Sequence, residues 1–101
     1  MSEEELTLKQ KLNLETAQIS WRELELFFAK GNLLCVAQNR DLITVAEQIA
    51  DNNQAEIEAL ILAKDIEFVS SEWVKKHCAK NPTLWAVVVA PYVVCQLARD
   101  S

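Results

Sequence analysis

The chain has 101 residues, half of them hydrophobic and a quarter charged, with a formal net charge of −5. That composition is globular and not that of a disordered chain, and it allows one domain over 1–101 whose core needs neither metal nor disulfide staples. The acid excess works against contact with phosphate backbones and anionic lipid, so neither nucleic acid nor membrane is an expected partner.

Three cysteines, Cys35, Cys78 and Cys95, stand 43 and 17 positions apart. An odd, widely spaced set is not a secreted disulfide framework, and it predicts free thiols in a reducing cytosol. The opening MSEEELTLKQKL has no basic region followed by an apolar one, so it does not read as a secretory signal. Glu3, Glu4 and Glu5 are expected in a frayed terminus over 1–6.

Leu8, Leu12, Ala17 and Ile19 predict a first helix over 7–18. Ser20 opens a second, with capping-box spacing to Glu23 and staple spacing between Ile19 and Leu24. Trp21, Leu24, Phe27 and Phe28 give this helix one apolar face, and Gly31 can take the left-handed conformation that stops it. The apolar run 32–37 reads as a buried strand. A helix over 42–50 follows, with Leu42, Val45, Ala46, Ile49 and Ala50 all at helical spacing behind a cap from Asp41 or Asn39. Asp51 to Asn53 break it, and Asn53 with Glu56 caps a fourth helix over 54–64 that buries Ile57, Leu60 and Ile61. A second strand over 66–69 leads to a helix over 72–80, capped by Ser70 or Ser71 and ended by Asn81-Pro82.

The closing run TLWAVVVAPYVVCQL is apolar almost throughout. A membrane span needs about 20 such residues, and this run is shorter and interrupted by Pro91. Read as one long strand, it puts Trp85, Val87, Val89, Pro91, Val93 and Cys95 on one face and Leu84, Ala86, Val88, Ala90, Tyr92 and Val94 on the other. Both faces are apolar, which predicts cover on both sides or a second subunit on one. Pro91 removes a ladder donor and implies an edge position, a bulge or a bend.

These elements form an α+β domain: a small three-stranded sheet with five helices, in the winged-helix-like order helix-strand-helix-turn-helix-strand-helix-strand, plus an N-terminal helix. Within it, LITVAEQIADNNQAEIEALI resembles a helix-turn-helix. DNA readout needs Arg, Lys, Asn or Gln on the second helix and cations on flanking phosphates. From Arg40 to Lys80, eight acids face five bases. The cluster Lys75, Lys76 and Lys80 reads as a solvated helix face.

His77, the single histidine, lies four residues after Trp73 and is expected to pack on it. A nucleophilic pair with the adjacent Cys78 is geometrically excluded, because neighbouring residues on a helix point apart. No C-x-x-C or H-x-x-x-H spacing supports a metal site, and one glycine cannot make a phosphate loop. Catalytic, cofactor-binding and metal-ligating residues are therefore all expected to be absent.

Three stretches together, LNLETAQISWRELELFFAKG, DLITVAEQIADNN and TLWAVVVAPYVVCQ, resemble a family of small bacterial proteins catalogued as domain of unknown function 2288. The likeness runs from about Lys11 to Gln96 and is most specific at Trp85, the valines, Ala90-Pro91 and Tyr92. Where the resemblance implies an aromatic and then a glycine within 57–65, this chain has Leu60 and Lys64-Asp65. The resemblance implies a cytosolic bacterial domain and carries over no catalytic residue.

The expected function is a non-enzymatic protein-interaction or regulatory module. Its expected surface is Trp85, Val87, Val89, Pro91 and Tyr92, and its partner another protein, a second copy of the chain included. Two alternatives stand beside it: a winged helix-turn-helix regulator that binds nucleic acid, and a small-ligand binder or enzyme using Cys35, His77 or Cys95.

Overall fold

The computed structural model describes residues 7–51 and 54–98. The acidic run at Glu3 to Glu5 and the Asn53 cap lie outside the described residues. In chain order the elements are α1 (Leu8–Glu15), β1 (Ala17–Ser20), α2 (Trp21–Ala29), β2 (Leu33–Val36), α3 (Leu42–Ala50), α4 (Gln54–Leu62), β3 (Ile66–Phe68), α5 (Ser71–His77), β4 (Thr83–Val89) and β5 (Tyr92–Leu97).

The fold is α+β, as expected, but its sheet has five strands and not three, in the order β1-β4-β5-β2-β3. Two misreadings account for the difference. Residues 17–20, assigned to the first two helices, leave α1 and pair antiparallel with β4 as an edge strand. The closing run is a hairpin: Val89 pairs with Tyr92 around a two-residue turn whose Ala90-Pro91 peptide is cis. β5 then runs parallel to β2, while β3 pairs antiparallel on the other side of β2. This mixed sheet, covered on both faces, replaces the winged-helix arrangement.

The turn also reassigns the faces. Trp85, Val87 and Val89 share a face with Gln96, Val94 and Tyr92, whereas Leu84, Ala86 and Val88 share the other with Leu97, Cys95 and Val93. Leu12 of α1, with buried residues of α3 and α4, packs over Leu34, Val36, Val87, Val89 and Val94 on the first face. Trp21 and Leu24 of α2, with Trp73 of α5, pack over Leu33, Cys35, Ala86, Val93 and Cys95 on the second. The sheet is thus sandwiched, which explains why its strands read as continuous apolar runs.

Local chemistry sets the helix ends. α3 buries Leu42, Val45, Ala46 and Ile49, four of the five its periodicity predicts, with Ala50 partly buried, and Asp41 caps it through the Thr44 amide at 2.9 Å. α2 ends at Gly31, whose φ of 77° is open to glycine at no steric cost. Its start differs from expectation. The Ser20 side chain makes no capping bond. Instead the Trp21 amide donates to the Pro82 carbonyl and the Arg22 amide to Asn81 Oδ1, each at 2.8 Å. The segment that ends α5 therefore begins α2.

Candidate functional site

Of the five surface residues expected from the sequence, Val87 and Val89 are core, 1% and 6% exposed beneath α1 and α3. They are corrected to packing residues, because the helices the sequence predicted cover this sheet face. Pro91 lies in the exposed turn, and Tyr92 is half-buried with its ring 6.2 Å from that of Phe68. Trp85 lies four residues from Val89 on β4, so it stands roughly 13 Å from the Tyr92 end of the hairpin. The five do not form one patch.

Trp85 does reach the surface, at 39% exposure. It pairs with Gln18 on β1 and Gln96 on β5, so an indole flanked by two amides crosses the end of the sheet. Asn13 and Thr16 from the end of α1, and Asp41, Leu42 and Ile43 from the start of α3, wall this row into a crevice of about 240 Å³. A second crevice of about 390 Å³ shares Asn13, Asp41 and Ile43 and adds Thr7, Lys9 and Gln10. Together they lie where the parallel strands β2 and β5 end, a position where α/β sheets commonly bind ligands.

One side of this site is tied down. Gln96 Nε2 donates to the Ala37 and Arg40 carbonyls at 2.8 and 2.7 Å, and Gln38 Nε2 donates to the Leu97 carbonyl at 2.9 Å. The Arg40 guanidinium pairs with Asp65. The loop between β2 and α3 is therefore pinned to β5 and to the turn before β3. Asp41 accepts from both the amide and the hydroxyl of Thr44 at 2.9 Å. Those bonds, the amide's first, hold its carboxyl below the usual range, with a small further lowering from Lys9. One cation and one carboxylate leave the mouth near neutral. Among the described residues no group of three or more His, Cys, Asp or Glu side chains is placed to hold a metal.

The three cysteines, distant in sequence, meet in the core beneath α2 and α5. Cys35 and Cys95 are direct partners across β2 and β5. A side-chain hydrogen bond with Cys35, then burial, pushes the Cys95 thiol well up. Burial pushes Cys78 up to about 11. Such thiols stay protonated near neutrality, which is the opposite of an activated nucleophile. His77 packs on Trp73 with ring centroids 4.9 Å apart, as its spacing predicted.

Sequence reasoning found Trp85 but missed Gln18, Asn13, Thr16 and Gln96 around it. The usable signal was Gln96, a polar residue closing an apolar run. Asp41 was recognised as a cap and not as a wall.

The family model described as "Protein of unknown function (DUF2288)" matches residues 7–97, and the chain belongs to that family. The chain is also similar to a protein solved in solution by NMR, PA1075 from Pseudomonas aeruginosa. They share 43% identity at a TM-score of 0.79, over 99% of this chain and 93% of that one. No curated protein matches this chain. The likeness extends through the β4–β5 hairpin and the crevice, and it brings no activity with it.

Proposed function

We propose that this domain is a cytosolic protein-interaction module that acts without catalysis, and that it engages its partner through the crevice at Trp85. The observation that carries the reading is the half-open indole itself. On that face of β4 the neighbouring Val87 and Val89 are buried, whereas Trp85 stands in a walled groove among amides. Partly exposed tryptophans ringed by polar groups are the usual anchors of protein interfaces. The burial of all three thiols, with those of Cys78 and Cys95 pushed up, favours a binding role over nucleophilic chemistry. The nucleic-acid alternative is disfavoured by charge, because α4, the would-be recognition helix, is QAEIEALIL, with Gln54 as its one base-reading side chain, no cation and two acids.

The test compares tagged protein with its Trp85→Ala variant in pull-downs from bacterial lysate, each with and without nuclease. The expected result is a defined protein retained after nuclease and lost at least about tenfold in the variant, whose melting temperature stays within a few degrees. A second copy of the chain would appear as self-association in sedimentation that the variant abolishes. Partners held equally by both proteins would place the surface elsewhere, and partners lost to nuclease would restore the nucleic-acid reading.

A further inference from the structure

Of the three helices on its face, α1 buries the fewest side chains. Of its eight residues only Leu12 is buried, whereas α3 buries four. Leu8 and Leu14 are 43% and 72% exposed. The bonds α1 makes are its own: Thr7 and Gln10 close a capping box, and the Thr16 hydroxyl donates to the Leu12 carbonyl at 2.7 Å. These bonds hold the segment helical but do not fasten it to anything. Among the described residues no hydrogen bond or ion pair joins a side chain of α1 to another element.

The space around it agrees. Besides the two crevices beside Asp41, one of about 200 Å³ runs between Leu8, Lys11, Leu12 and Glu15 and the strand residues Val88 and Val89. Another, of about 380 Å³, separates Leu8 from Thr44, Glu47 and Asp51 of the α3 region. Leu12 is thus the one residue of α1 that is buried in the core.

We propose that α1 is a hinged lid, which lifts as a unit about Thr16 while the rest of the fold stays intact. Thr16 is the one residue between α1 and β1, in extended conformation, so a change at its backbone swings the helix without disturbing the β1–β4 pairing. An isolated eight-residue helix is too short to persist in water, so the lifted segment unwinds. Opening withdraws Leu12 from the core it shares with Val87, Val89, Ala46 and Ile49, and it removes the Asn13 wall of the Trp85 crevice. The inference stands on the packing of α1 and requires no partner.

Amide hydrogen exchange of the full chain tests it. The amides from Lys11 to Thr16 should share one common protection, about 100-fold or more below that of Val45 to Ala50 in α3. Leu24→Ala, in the core on the opposite sheet face, should speed exchange of the α3 amides and leave the α1 group unchanged. A gradient of protection rising from Leu8 inward would mean terminal fraying without lifting. Equal protection in α1 and α3, or a Leu24→Ala effect spread equally over both, would mean one cooperative unit. Either outcome overturns the lid.

Discussion

Asn81 works twice from one backbone position. Its φ of 52° is left-handed, a region that asparagine tolerates far better than most side-chain-bearing residues, and its Oδ1 caps α2 from 59 residues away. The two roles can be separated. Asn81→Gly keeps the backbone freedom and removes the acceptor, which should cost about 1 kcal/mol, the usual value of an N-cap. Asn81→Ala removes the acceptor and adds the left-handed penalty, so it should lose roughly 1 kcal/mol more. Urea midpoints should therefore fall in the order wild type, glycine, alanine, and an alanine variant as stable as the glycine one would show that no strain is held there. Lys64, at a φ of 65° after α4, makes a related point. It stands in the stretch where the family resemblance led to an expected glycine, and its backbone adopts the conformation a glycine would take.

Among the elements, α3 was fully legible: its predicted span 42–50 is the observed Leu42–Ala50, because periodicity, cap and burial agree. β1 was not, since AQIS pairs along one side only and follows a helical pattern without a turn residue. The hairpin was hidden for a different reason. Both of its strands carry apolar residues on both faces, the exposed Val88 included, so no polar alternation marks where one ends, and Ala90-Pro91 lacks the glycine or asparagine that announces most two-residue turns. At the candidate site, the helices over one face turned Val87 and Val89 from supposed surface into core. The cap on α3 also supplies a pH test. The Asp41 carboxyl is held below its ordinary 3.8 by Thr44, so its stabilisation is full above that value and is lost as pH falls through the lowered one. Asp41→Ala should therefore cost about 1 kcal/mol at neutral pH, and the gap between variant and wild type should close as the medium is acidified below the carboxylate range. Denaturant titrations of both proteins from neutral to acid pH measure that gap, and a difference that persists unchanged in strong acid would assign it to packing instead of charge.

For the whole molecule, the pairing that organises the fold joins Cys35 to Cys95, residues 60 apart in the chain. No local pattern specifies which strand neighbours which, so the parallel β2–β5 contact, and with it the convergence of three thiols, lay beyond a single sequence. That convergence makes the cysteines reporters of the central sheet. Cys35 and Cys95 face the core beneath α2 and α5, and Cys78 closes α5 in the same cluster. Reaching Cys35 and Cys95 requires separating α2 and α5 from the sheet, whereas Cys78 lines a crevice of about 450 Å³ between those helices and lifting α1 affects the opposite face. Native-state labelling of Cys35 and Cys95 by a thiol reagent at pH 8 should then proceed at the rate of global unfolding. The alkaline limb follows from the same burial. Because the folded Cys78 thiol ionises at about 11 and not at its ordinary 9.0, its contribution to stability is complete below 9.0 and is lost as pH rises from there toward 11. Unfolding midpoints measured from pH 8 to 11 should decline over that window, and Cys78→Ala should flatten the decline while lowering stability at pH 8 through the cavity it leaves. A labelling rate far above the unfolding rate, with no alkaline decline, would show that the face beneath α2 and α5 opens on its own.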